Sequence, residues 1–262
     1  MVESWRSDVL VEVEVVPGYR TGLRDDGHGA PVVLLHGTPF DMRAWQPVVG
    51  AMNGSRRAIR FDARGHGSAV DVPVAHYGRL ADDVVAVLDR LDLHDAHVVG
   101  HSWGGQIAQQ VALDHPERVN RLSLVCTRAS PFPAFTTAAQ GLRDGIVDVE
   151  ASLARWFTPD ELAEHDGLAA TVRAWLHAAD RSRWADALEM ISSFDALAQL
   201  SRIAVPTDVI AAEHDGVAVP QHMTQIADTV PKASFRLIAG ARHLAPLQRP
   251  RQIAQIILED RP

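Results

Sequence analysis

His97-Val98-Val99-Gly100-His101-Ser102-Trp103-Gly104-Gly105-Gln106 is the stretch on which the reading of this chain turns. It reads as a short apolar strand, a sharp turn and the first residues of a helix. The turn matches G-x-S-x-G with Ser102 at its centre, the pattern of a serine raised on a strained strand-to-helix bend. Strand and helix pass so close there that the positions two before and two after the serine must be small. Gly100 and Gly104 meet that demand, and Gly105 adds room. Such a bend lifts the hydroxyl clear of the sheet edge. It also aims the first N–H groups of the helix into the same space, which favours a developing oxyanion. Taken alone, the pentapeptide also fits a plain glycine-rich loop. The helical spacing of Ile107, Ala108, Val111 and Ala112, ending near His115-Pro116, favours the nucleophile reading.

On either side of this stretch, strands and helices alternate. Val9 to Val16, valines alternating with glutamates, reads as an edge strand, turned by Pro17-Gly18 onto a partner over Tyr19 to Arg24. Asp25 to Gly29 reads as a loop. Pro31 to Leu35 is a continuous apolar run, as in a strand covered on both faces. Arg57 to Phe61 is a further strand and Arg79 to Leu91 a helix with Leu80, Val84, Val87, Leu88 and Leu91 on one face. A strand ending at Cys126 follows the nucleophile helix. Val205 to Ala212 and Ala233 to Ile238 are strands, and Gln221 to Val230 and Arg251 to Leu258 helices. This alternation predicts an α/β fold, a mainly parallel sheet with helices on both faces.

Between about 130 and 200 the pattern changes to alanine-rich helix with no convincing strand. Trp156, Phe157, Trp175, Trp184 and Phe194 lie there. We read residues 130–200 as a helical cap inserted into a core formed by 1–129 and 201–262. The simplest role for most of these aromatics is to fill the cap's own small core.

Composition narrows the function. The chain has 262 residues, 47% hydrophobic, enough for a sizeable core. A formal net charge of −8 argues against nucleic acid or an anionic membrane as partner. No run of 18 apolar residues suggests a membrane span, and Met1 to Asp8 lacks the basic start and apolar core of a signal peptide. The single cysteine, Cys126, excludes an internal disulfide and, in the apolar run Leu122 to Cys126, reads as an inert core thiol. A cytoplasmic location is the default expectation. No cofactor or metal is implied, and homo-oligomerisation is left open.

Catalytic partners for Ser102 are expected where strands end, because the carboxyl ends of parallel strands gather along one edge. Val209 to Ala212 leads into Glu213-His214-Asp215-Gly216, and Phe235 to Ile238 into Ala239-Gly240-Ala241-Arg242-His243. The order Ser102, Asp215, His243 is that of nucleophile, acid and base. His243 would take the serine proton, and Asp215 would fix the imidazole tautomer. Glu213 is the rival acid. His36, His66, His101 and His214 are rival bases, of which His36 and His66 sit in turns and read as structural. The oxyanion hole needs two backbone donors: the N–H of Trp103 and, after the Val32 to Leu35 strand, that of Thr38, since Pro39 has none.

His36-Gly37-Thr38-Pro39, Asp62-Ala63-Arg64-Gly65-His66-Gly67, Gly100-His101-Ser102-Trp103-Gly104-Gly105, Glu213-His214-Asp215 and Arg242-His243-Leu244 together resemble the α/β-hydrolase superfamily over nearly the whole chain. The resemblance implies its eight-stranded sheet. Within the superfamily the chain is most similar to the 3-oxoadipate enol-lactonase group, through Arg155-Trp156-Phe157-Thr158-Pro159 in the cap. His115 to Val119 is shared more widely. Many relatives carry glycine at Ala212 and Arg242, and a serine one place after Ser68; none of these departures touches the triad. The resemblance implies a small carboxylated lactone as substrate, with Arg155 and Trp156 as candidate binding residues, although Arg155 also fits a solvated cap position. The expected activity is hydrolysis of a small carboxylic ester or lactone through an acyl-enzyme. The alternatives are carbon–carbon bond hydrolysis or cofactor-free haloperoxidation on the same triad, or a non-enzymatic ligand-binding receptor on this fold.

Overall fold

The computed structural model describes residues 10–146, 148–163 and 167–259. Met1 to Asp8, and Val9 at the start of the first expected strand, lie outside these residues. Eight strands, β1 (Val11–Val16), β2 (Tyr19–Asp26), β3 (Pro31–Leu35), β4 (Arg57–Phe61), β5 (Ala96–His101), β6 (Val119–Val125), β7 (Thr207–Ala212) and β8 (Ala233–Ile238), form one sheet in the order β1-β2-β4-β3-β5-β6-β7-β8. The β1–β2 and β2–β4 pairs are antiparallel and the other five are parallel. The first hairpin turns at Gly18, whose φ of 79° is costly for any residue with a Cβ. β2 runs two residues past the expected end, because Asp25 and Asp26 stay in register with β4 and pair with Arg57 and Arg60.

The apolar runs have a physical cause in the two layers that cover the sheet. Along β3, Val33 and Leu35 face one core, while Val32 and Leu34 face the other. The first core is closed by α2 (Tyr77–Arg90), α3 (Trp103–Asp114) and α9 (Pro220–Thr229), the second by α1 (Gln46–Met52) and α11 (Pro250–Leu258). The sequence pattern gives no sign of α1, a short helix that buries only Val48 and Met52. The short α10 (Ala245–Gln248) precedes α11.

Every element assigned between β6 and β7 is helical: α4 (Ala134–Arg143), α5 (Val149–Trp156), α6 (Pro159–Ala163), α7 (Leu168–Ala178), α8 (Arg181–Ser193) and the 3-10 turn Leu197–Arg202. Polar caps start three of them. Asp148 Oδ1 accepts from Ala151 N at 2.7 Å and Asp180 Oδ1 from Arg183 N at 2.9 Å. Thr158 and Glu161 form a reciprocal capping box at α6. α4 lies against α8, with Arg143 paired to Asp186 and Glu189. At the root of this helical segment the carbonyl of Ala129 accepts from both Ala196 N (2.8 Å) and Leu197 N (3.0 Å), so the outgoing and returning chains are tied together.

The aromatics of this segment do not mainly fill a core of its own. Trp156 and Trp175 both pack on Phe40, at centroid distances of 5.7 and 5.9 Å, and Phe194 packs on Tyr77 at 4.5 Å. These rings join the helices to the sheet domain instead, because the segment is too thin to bury them within itself. No helix among the described residues is long and apolar enough to cross a membrane.

Candidate active site

The turn between β5 and α3 has the strain its sequence implies. Ser102 has φ 54° and ψ −117°, a conformation that L residues avoid. Hydrogen bonds hold it: Ser102 N donates to Val125 O at 2.9 Å, and Ser102 O accepts from Thr127 Oγ1 at 2.6 Å and from Gly105 N at 2.9 Å. The glycines are forced by proximity. A Cβ on Gly100 would run into the backbone of Gly104, and one on Gly104 into the carbonyls of Leu35 and His36.

Three side chains meet at this turn. Ser102 Oγ lies 3.0 Å from His243 Nε2, and His243 Nδ1 lies 2.8 Å from Asp215 Oδ2. Asp215 is acceptor-only when ionised, so Nδ1 carries the proton and Nε2 is free to accept from the serine. The other carboxylate oxygen accepts from Val217 N at 2.7 Å and Ala218 N at 3.0 Å. Burial alone would raise the Asp215 pKa, but the His243 partner and these two N–H groups outweigh it and hold the carboxyl below its usual range. Glu213, by contrast, is exposed and accepts from Gly240 N at 2.8 Å.

Next to the serine, the N–H groups of Thr38 and Trp103 meet no acceptor among the described residues. Trp103 opens α3, so its N–H has no intrahelical partner. Thr38 is fixed through its hydroxyl, which donates to His66 Nε2 at 2.8 Å while His66 Nδ1–H donates to Arg64 O. His66 is held neutral by burial, its pKa lowered to about 3. His36 accepts from Ala63 N at 3.0 Å through Nε2 and donates from Nδ1 to Gly37 O at 3.1 Å, so both its nitrogens are taken up by main chain. Both turn histidines therefore brace the loops. His101 points away from the hydroxyl and bonds the main chain of His243 instead, and His214 is exposed beside Glu213.

A cavity of about 230 Å3 opens over Ser102, Thr38 and His243. Its walls are apolar: Leu142, Trp156, Trp184, Leu188, Ile191 and Val217. At its outer end stand the exposed Ile146, Asp148 and Arg155, with Arg155 Nη2 donating to Ser152 Oγ at 3.2 Å. Trp156 stacks on the His243 imidazole, 6.3 Å between centroids at 26°, and its buried Nε1 has no hydrogen-bond partner among the described residues. A larger cleft of about 610 Å3, lined by Phe40, Arg43, His66 and Trp175, holds none of the three meeting side chains and shares only Trp184 with this cavity. Two residues of this arrangement, Val217 and Gln248, do not stand out in the sequence. Val217 is a wall residue two places after the acid. Gln248 accepts from Arg242 N and donates to Trp156 O, which clamps the helical segment onto the His243 loop. Lying next to the acid was the one available signal for Val217; for Gln248 there was none. Among the described residues no group of three or more His, Cys, Asp or Glu is placed to hold a metal ion.

The model of the Alpha/beta hydrolase family matches residues 32–256, which include every part of this arrangement. The chain belongs to that family. As an alpha/beta hydrolase it is an enzyme of hydrolase type, and its relatives narrow the field without naming a substrate. It is 30% identical to a 2-hydroxymuconate semialdehyde hydrolase of Pseudomonas sp. strain CF600, over 93% of this chain and 90% of that one. It is 28% identical to 3-oxoadipate enol-lactonase 2 of Acinetobacter baylyi, over 93% and 92%. Among solved structures, the enol-lactonase from Burkholderia xenovorans LB400 superposes with a TM-score of 0.88 at 26% identity, covering 95% of this chain and 98% of the other. The eight-stranded sheet and the enol-lactonase likeness of this alpha/beta hydrolase agree with what the motifs imply.

Proposed function

We propose that this protein is a serine hydrolase that opens a small carboxylic ester or lactone through an acyl-enzyme on Ser102. The observation that carries the reading is the hydrogen-bonded line Ser102–His243–Asp215, with two idle backbone N–H groups beside it. Ser102 Oγ attacks the carbonyl carbon and its proton passes to His243 Nε2. The oxyanion is received by the N–H groups of Thr38 and Trp103, each donor contributing on the order of 3 kcal/mol. Collapse breaks the bond to the leaving oxygen, which takes the proton from His243. Water then releases the acid and restores Ser102.

In this reading the helices of residues 130–200 are a cap that selects the substrate. The apolar walls suit a compact hydrocarbon body. Arg155 at the outer end suits a carboxylate, as on a 3-oxoadipate enol-lactone, and the unpartnered Trp156 Nε1 suits an acceptor near the reacting carbon. With one buried cysteine and no internal disulfide, a reducing cytoplasmic setting fits the reading. The likeness to a hydrolase named for a semialdehyde keeps a second reading, hydrolysis of a carbon–carbon bond on the same triad.

The test is a panel of esters and lactones differing in chain length and charge, run beside Ser102→Ala, with fluorophosphonate labelling of the wild type. Labelled Ser102 and ester or lactone turnover lost in Ser102→Ala support the proposal. Full activity in Ser102→Ala overturns it.

A further inference from the structure

Beside the main cavity lies a second, very small one of about 10 Å3, whose lining includes Ser102, His243, Val217, Phe135 and Arg128. Four of these five residues also line the substrate cavity, so the two adjoin. Arg128 lines only the smaller one. Its side chain is buried, and no carboxylate forms an ion pair with it among the described residues. Nη1 donates to Val217 O at 3.0 Å and to His222 Nδ1 at 2.7 Å, and the guanidinium lies over the Phe132 ring at 4.3 Å. Nε is buried with no hydrogen-bond partner among the described residues.

Burying a cation with no carboxylate in direct contact is costly, the more distant Asp215 offsetting only part of the burial, and leaving one of its donors idle adds to that cost. Part of the arrangement has a local explanation. Through the Val217 carbonyl, Arg128 steadies the loop whose next N–H groups hold Asp215. That role occupies Nη1 and leaves Nε without a task. An acceptor in the small cavity would supply one. The space is far too small for a substrate carboxylate and is at the lower limit for a single water molecule, which there would have polar neighbours in Arg128, Ser102 and His243.

We propose that this cavity seats the hydrolytic water of the second half-reaction and that Arg128 holds it. The inference rests on the acyl-enzyme reading above. Arg128 Nε–H donates to the water oxygen, which keeps a lone pair for the acyl carbon. As the new C–O bond forms, one water proton passes to His243 Nε2. The tetrahedral adduct then breaks its bond to Ser102 Oγ, which recovers the proton from His243, and the carboxylic acid departs. Nothing is oxidised or reduced. Acylation consumes no water, so it does not use this contact, whereas deacylation does.

The two half-reactions can be read apart. The rate at which a fluorophosphonate modifies Ser102 reports the first. The lifetime of the acetyl-enzyme formed from p-nitrophenyl acetate, followed by quenching and intact mass, reports the second. In Arg128→Met the lost Val217 contact slows both steps alike, and the acyl-enzyme should live about ten- to a hundredfold longer than the fall in the phosphonylation rate accounts for, the worth of one hydrogen bond from a charged donor. Equal slowing of both steps would show that Arg128 acts only by steadying the acid loop and would overturn the proposal. A high-resolution crystal structure of the wild type gives a check that needs no variant. An ordered water bonded to the Arg128 guanidinium beside His243 supports the site, and a dry cavity overturns it. If wild-type Ser102 is never acylated, the acyl-enzyme reading itself falls, and this inference with it.

Discussion

His101 Nε2 donates a 2.7 Å hydrogen bond to the backbone carbonyl of His243, and the two rings stand 5.2 Å apart. The residue before Ser102 thereby fixes the height of the loop that carries His243. Trp45 meets the same ring edge-on at 6.5 Å, so the donor has little freedom to swing. In His101→Leu the shape is roughly kept and the donor lost. We expect kcat to fall about ten- to a hundredfold, matching one buried hydrogen bond of about 1–3 kcal/mol, with KM nearly unchanged. Steady-state kinetics on any turned-over ester provide the check, and an unaltered kcat would contradict this role.

Arg155→Met removes the charge at the outer end of the substrate cavity while keeping much of the side chain's apolar bulk. For carboxylated lactones kcat/KM should fall about ten- to a hundredfold, the worth of one charge-assisted hydrogen bond, and it should hold for neutral esters. Equal losses on both substrate types would show that Arg155 does not select for charge.

Two glycines should respond to alanine in opposite directions. Gly100→Ala drives a Cβ into the Gly104 backbone, where neither strand nor helix can yield. Destabilisation above about 4 kcal/mol, seen as insoluble or unfolded protein, is expected. Gly50 lies within α1, and a methyl group added there would meet nothing within 4 Å. At that position the same change should stabilise by about 0.5–1 kcal/mol through reduced freedom of the unfolded chain. Urea titration of the two variants provides the comparison.

Acid should unfold the protein well above the carboxylate range. Burial lowers the pKa of His66, His97 and His101 from 6.5 to about 3. Their neutral forms thus belong to the folded state, while the unfolded chain protonates near 6.5. The stabilisation is complete above that pH and is lost as pH falls toward about 3. Three protons taken up on unfolding correspond to a slope of about 4 kcal/mol per pH unit in the middle of this window. Asp215, held below its usual range, adds a further loss below about pH 4. Thermal melts from pH 7 to 4 should show the decline, and a flat profile down to pH 4 would refute it.

How much of this was legible in the residues depends on the distance over which each feature is decided. The nucleophile turn is local, since Gly100, Gly104 and the apolar strand before them impose its geometry within ten residues. Asp215 and His243 could be located because parallel strands deliver their carboxyl ends to one edge, so strand order stood in for three-dimensional proximity. The rings of Trp156, Trp175 and Phe194 look internal to the helical segment from their sequence and are not. Their partners, Phe40 and Tyr77, lie more than a hundred residues upstream, and no periodicity within a helix encodes a contact across that gap. Gln248 is silent for the same reason: it meets Trp156 from 92 residues away. Arg128 is hidden in another way. An arginine after an apolar strand reads as solvated, and only the packing of Phe132 and Val217 around it reveals a buried cation.

The Ala129 carbonyl that receives both Ala196 and Leu197 makes the helical segment a graft on a single stem. β6 and β7 are already neighbours in the sheet, so the tie closes the stem without borrowing anything from what lies beyond it. A different set of helices spliced between Ala129 and Ala196 would inherit the same closed base, leaving Ser102, Asp215 and His243 on strands and loops outside the splice, with the Trp156 contacts to His243 and Gln248 to replace. On the proposed reading, such a protein acquires a new diet by transplantation while its chemistry stays where it is.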